Sequence, residues 1–224
     1  MADEQKKHPR WALRHAPNME PFGYRRLEGN APGAKVQEKV VHHWRQSVKK
    51  EEASFRYCEG GRECEEFLMS GNPDFERTIT SKLDMEYRKI TKQGPGIVEI
   101  LPDPNMRPQL RRAHPSRDSI IVFRPLLGPA NWGNGLAKLC SSSHNQGPNT
   151  IGDTMHGDVH ETPDNVPQDL HEVPVDVPQT LCINGDLHVM PSPNGGAVLV
   201  WMAFSKRPMM DDIYRHDIFP FMKT

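Results

Sequence analysis

The run Asp118-Ser119-Ile120-Ile121-Val122-Phe123-Arg124-Pro125-Leu126-Leu127, DSIIVFRPLL, is the most strand-like segment of the chain. β-Branched and aromatic side chains suit a pleated, buried surface, and polar or Pro-containing segments bound the run. A shorter run, IVEIL, precedes it, and GLAKLCSSSH, DLHEVPVDV, TLCINGDLHVM and GGAVLVWMAF follow. Pro and Asn-Gly turns separate these runs, with no stretch of helical periodicity between them. Short consecutive strands without intervening helices predict antiparallel pairing, closed into a barrel or jelly roll with helices packed outside.

Upstream the grammar is different. Residues 1–33 are polar and rich in Pro and Gly, and read as an extended arm. Val36, Val40, Val41 and Trp44 recur at helical spacing among Lys, Glu and Gln, which predicts an amphipathic helix near 34–50. The segment 60–93 reads as one or two more helices, broken at Ser70-Gly71-Asn72-Pro73. The expected organisation is a single domain: arm and helical layer over 1–95, β-core over 96–210, and a tail over 211–224.

With 28 basic and 29 acidic residues the formal net charge is -1, so no strong field favours nucleic acid or an anionic membrane. The N-terminus MADEQKKHPRWALRH has no apolar core of a secretion signal, and no later stretch approaches a membrane span. A cytoplasmic protein is the expectation. The four cysteines, Cys58, Cys64, Cys140 and Cys182, are scattered, and read as reduced, partly buried thiols.

Several histidines compete as chemical candidates. His156-Gly157-Asp158-Val159-His160 packs two imidazoles and a carboxylate into five residues, but its surroundings have loop composition. His114 and Asp118 stand at the mouth of the strongest strand. His144 lies in the turn-like CSSSHNQG, and His188 lies within a strand. Arg207, after the last strong strand, is a candidate carboxylate anchor, because guanidinium matches carboxylate bidentately. No nucleophile elbow, phosphate-binding loop or dinucleotide fingerprint is present in the sequence.

The order of Asn134-Gly135, Ser143-His144 with Gly147, Gly185-Asp186 and a closing strand resembles the phytanoyl-CoA dioxygenase-like family of Fe(II)/2-oxoglutarate-dependent oxygenases. The likeness covers about residues 95–210. It implies a mainly β fold with flanking helices, the double-stranded β-helix (a cupin-like jelly roll). It also implies iron held by His-x-Asp and a distal histidine, with 2-oxoglutarate held partly by an arginine. On this chain the first pair falls at His114 and Asp118, with three residues between them instead of one. Asn194 stands near the distal position, with His188 a few residues early, and Arg207 near the cosubstrate arginine. By the same order His156-Gly157-Asp158 comes too late in the chain to be the first half of the triad.

A retained scaffold with a damaged metal signature implies an auxiliary, oxygenase-like subunit that binds no cofactor tightly. Such a subunit pairs with a homologous catalytic oxygenase, or with itself, in fungal natural-product biosynthesis, where the ligand is a small molecule. Two alternatives stay open. One is an active oxygenase using iron and 2-oxoglutarate with irregular ligands His114, Asp118 and His188. The other is a metal-independent isomerase or cyclase in which His188 and His144 move protons.

Overall fold

The computed structural model describes residues 22–52, 54–106, 110–114, 118–141 and 169–207. Two antiparallel sheets carry the fold. The larger has the spatial order β1 (Tyr24–Leu27), β9 (Thr180–Asn184), β6 (Ser119–Pro125), β11 (Val198–Ser205), β4 (Thr91–Ile100), β3 (Phe55–Glu59), β2 (Lys50–Glu51). The smaller runs β5 (Arg111–Arg112), β10 (His188–Met190), β7 (Lys138–Cys140), β8 (Leu170–His171). Three helices, α1 (Ala34–Gln46), α2 (Arg62–Met69) and α3 (Phe75–Leu83), complete the elements that set the architecture.

The DSIIVFRPLL run is β6, and all seven residues from Ser119 to Pro125 are buried. It sits between β9 and β11, with Ile121 opposite both Ile183 and Ala203. Its pleat divides the interior in two. Ile121 and Phe123 face one cluster with Val98, Leu139, Leu181, Val189 and Trp201, so the two sheets pack against each other through it. Ile120 and Val122 face a second cluster with Val40, Trp44, Phe67, Phe75 and Ile79, which seats the helices on the outer face of the larger sheet. Strands buried on both faces read as unbroken apolar runs, which explains why this one dominates the sequence.

The helices form where periodicity predicts, with tighter ends. α1 stops at Gln46 and the chain turns extended at Ser47. Ser70 to Pro73 does break the next segment, and Gly71 takes a positive φ of 71° there. Three strands lie outside the expected β region. β1 pairs Tyr24 with Ile183, and β2 and β3 lie between the first two helices, with Tyr57 of β3 paired to Val98. The sheet therefore draws on both halves of the chain.

Within β4, Gly96 lies under the Trp201 indole. A Cβ there would overlap the indole nitrogen and stand 2.9 Å from Cε2. Gly96→Ala is expected to cost about 1–3 kcal/mol by overpacking, measured as a shift of the urea midpoint. A shift near zero would mean that the indole has room to move.

Candidate functional site

The motifs of the sequence are structural turns first. Asn131 accepts a hydrogen bond from Gly133 N at 2.8 Å, and Asn134 Oδ1 accepts from Asn131 N at 2.8 Å. Asn134 Nδ2 donates to Pro129 O at 2.7 Å, and Gly135 ends the turn at a φ of 113°. A side chain at Gly135 would press on Ile100 Cγ2 at 2.6 Å, so only glycine fits. Gly185-Asp186 lies in the turn joining β9 to β10, where Leu187 N donates to Asn184 O at 2.9 Å and Asp186 N to Asn184 Oδ1 at 3.2 Å.

That second turn gathers several of the candidate residues. His114 N donates to Gly185 O at 3.0 Å, and Gly185 N donates to Ser119 O at 2.9 Å, so His114 and Asp118 approach from opposite sides. Asp118 O accepts from Lys206 N at 3.2 Å, which brings Arg207 to the same end of the molecule. The His114 side chain is buried, whereas Asp118 and Arg207 are exposed. Arg207 O accepts from Ser205 Oγ at 2.6 Å.

Asn194 is elsewhere. Its side chain donates to Trp132 O at 3.1 Å, beyond the level where Met190 pairs with Lys138. His114 stands near the level where Ala113 N donates to Leu187 O. At about 3.3 Å per strand residue, those backbone levels are roughly 10 Å apart along the smaller sheet.

His188 lies between strands that set its direction. Leu187 and Val189 belong to the apolar cluster between the sheets, so alternation turns His188 to the opposite, outer face. There it stands directly opposite Arg112 on one side and Cys140 on the other. Burial first, then the Arg112 charge, push its imidazole pKa below the ordinary value. His144 and the His156–His160 stretch lie outside the described residues.

The inner face offers other chemistry. Where β5 and β10 meet, position 111 is opposite Val189 and Ala113 is level with Leu187. Ala113, Leu139, Leu187 and Val189 pack there as aliphatic surface. Among the described residues, no group of three or more His, Cys, Asp and Glu side chains is placed to hold a metal ion. Tyr24 borders this space; burial raises its phenol pKa, while the Ser141 hydroxyl and the Arg26 charge act in the opposite sense.

One buried polar residue escaped sequence reading. Arg124, within β6, is fully buried and donates to five backbone carbonyls: Phe67, Ser70, Asn30, Pro178 and Val177, at 2.6–3.2 Å. The Phe67 and Ser70 carbonyls are orphans at the C-terminal end of α2, where the helix dipole also favours a cation. Burial lowers its pKa to about 10, which leaves it charged at neutral pH. A lone charge inside an apolar run was the available signal, because such a charge must find partners.

Comparison with solved structures gives the class of fold. The epimerase SnoN, described as a non-heme, alpha-ketoglutarate-dependent enzyme from nogalamycin biosynthesis, superposes with a TM-score of 0.58 at 13% identity, over 87% of this chain and 83% of that one. HygX from Streptomyces hygroscopicus, solved with nickel, 2-oxoglutarate and hygromycin B, gives 0.58 at 11% identity, over 90% of each chain. EvdO2 from Micromonospora carbonacea var. aurantiaca gives 0.54 at 15%, over 92% of this chain and 94% of that one. No protein-family model and no curated protein matches the sequence. The chain shares its fold with these three solved proteins, and identities this low establish the fold alone. No helix among the described residues is long and apolar enough to cross a membrane.

Proposed function

We propose that this chain is an auxiliary, oxygenase-like subunit on a double-stranded β-helix, pairing with a catalytically competent homologue in the biosynthesis of a small natural product. One observation carries the reading: where β5 and β10 meet, Ala113, Leu187 and Val189 turn aliphatic side chains to the inner face. On a sheet, three ligands on one side of an ion come from residues i and i+2 of one strand and one residue of its neighbour. Here those positions are 111, 113 and 189, and Ala113 and Val189 have no donor atom. At that junction Ala113 and Val189 would not hold an iron ion, which supports the auxiliary reading. The fold shared with SnoN, from nogalamycin biosynthesis, and with HygX, solved with hygromycin B bound, supports a natural-product setting.

The test is co-expression with a homologue that carries an intact His-x-Asp and distal histidine, encoded beside it in a fungal genome. The two chains are expected to co-purify, with turnover only in the mixture. Turnover by this chain alone, supplied with Fe(II) and 2-oxoglutarate, would overturn the proposal.

A second reading draws on the approach of His114 and Asp118 to the Gly185 turn, with Arg207 at the same end. It makes the chain an active oxygenase with irregular ligands His114, Asp118 and His188. Stoichiometric iron in anaerobically prepared protein, lost in His114→Ala, would favour it. Turnover that survives a chelator would instead favour the metal-independent isomerase or cyclase.

A further inference from the structure

From the strand register we infer that Cys140, His188 and Arg112 form a thiol site for small carboxylates that carry an electrophilic carbon. The site is on the outer face of the smaller sheet and is independent of the reading of the inner face. β5, β10 and β7 are adjacent, and Arg112, His188 and Cys140 stand in one row across them. Side chains directly opposite across a strand pair have Cβ atoms about 4.5–5.5 Å apart, within reach of hydrogen bonding between thiol and imidazole. The inward residues of the next row, Val189 and Leu139, fix this one outward.

The other three cysteines are in different surroundings. Burial pushes Cys64 and Cys182 up to about 12 and raises Cys58 as well. Cys140 alone has an imidazole directly opposite it and a guanidinium one strand further on. Its own exposure is 4%, while His188 and Arg112 beside it in the row are partly exposed.

Each group has a role that follows from its chemistry. The Cys140 thiol gives its proton to the His188 imidazole as sulfur forms a bond to the electrophilic carbon, and the leaving group departs with its bonding pair. Depression of the His188 pKa keeps the imidazole neutral and ready to accept that proton. The Arg112 fork, one strand beyond His188, holds the carboxylate of the reactant.

Iodoacetate and iodoacetamide separate these roles, because both alkylate thiols and only one is an anion. The intact protein is treated with each reagent, and rates at every cysteine are read by peptide mass spectrometry. Cys140 is expected to react first. Its iodoacetate-to-iodoacetamide rate ratio is expected to exceed that of free glutathione by about tenfold, the lower end of what one hydrogen bond to a charged group contributes. Arg112→Met is expected to return the ratio to the glutathione value, and Arg112→Lys to keep most of the difference. His188→Gln is expected to slow both reagents alike, with each variant melting near the parent temperature. If Cys140 in the parent reacts no faster than Cys58, or shows the glutathione ratio, the proposal fails, and neither result depends on a variant folding.

Discussion

Arg124→Met is expected to lower the stability of the fold by about 3–5 kcal/mol, as breaking a buried charged network does. A single domain has only about 5–15 kcal/mol to lose, so soluble yield is expected to fall as well. The cause is the set of five carbonyls that the guanidinium serves, drawn from the arm, the end of α2 and the 177–178 loop. Methionine fills much of the volume and donates nothing, so each carbonyl keeps its desolvation penalty without a partner. Lysine keeps the charge but has three donors on one atom, and cannot reach acceptors spread around a planar fork. Arg124→Lys is therefore expected to recover only part of the loss. Equilibrium unfolding in guanidinium chloride measures both variants. A loss under about 1 kcal/mol for the methionine variant would mean that the carbonyls find water instead.

The second large effect is a gain. Converting Arg111→His, Ala113→Asp and Val189→His together places a His-x-Asp and a facing histidine on the inner rows of β5 and β10. The triple variant is expected to bind one Ni(II) per chain, a redox-stable substitute for Fe(II), while the parent and each single variant bind none at that affinity. Polar groups put into an aliphatic interior destabilise the metal-free triple variant by a few kcal/mol. Metal at about 100 times its dissociation constant restores roughly 2.7 kcal/mol by mass action. The signature is a melting temperature that rises with added Ni(II) in the triple variant only, checked by calorimetric titration. A folded triple variant that ignores Ni(II) would show that positions 111, 113 and 189 do not converge, and would remove the main support for an auxiliary subunit.

The fold was legible where packing on two faces leaves an unbroken apolar run. β6 and β11 announce themselves because both faces of the larger sheet are covered. β1 and β3 did not. Tyr24 to Leu27 is half polar because it is an edge strand, and its partner β9 is remote in sequence. The segment TLCINGDLHVM reads as one run but crosses from one sheet to the other at its Asn184–Leu187 turn.

The candidate site was legible as chain order more than as geometry. His114, Asp118 and Arg207 do arrive at one end of the molecule, joined through the Gly185 turn. Asn194 follows Gly185-Asp186 closely in sequence, yet the β10 strand carries it to the far end of the smaller sheet. The direction of His188 could not be read from its neighbours alone, because Val189 and Met190 are both apolar and either fits an inward position. The inner row is fixed by pairing with β5 and β7, which is information held between strands.

The pairing of Tyr24 with Ile183 has a consequence for the order in which the chain folds. β1 leaves the ribosome well before β9, with β2 to β8 made in between. Until then β1 has no ladder to join, and β6 also lacks the neighbour that shields one of its edges. Closing contacts so remote in sequence is slow, because loop entropy is paid before the pairing repays it. Exposed edges and apolar faces in the waiting intermediate invite association with another chain. On the proposed pairing with a homologue, assembly would be most useful during synthesis, when that unfinished edge is open.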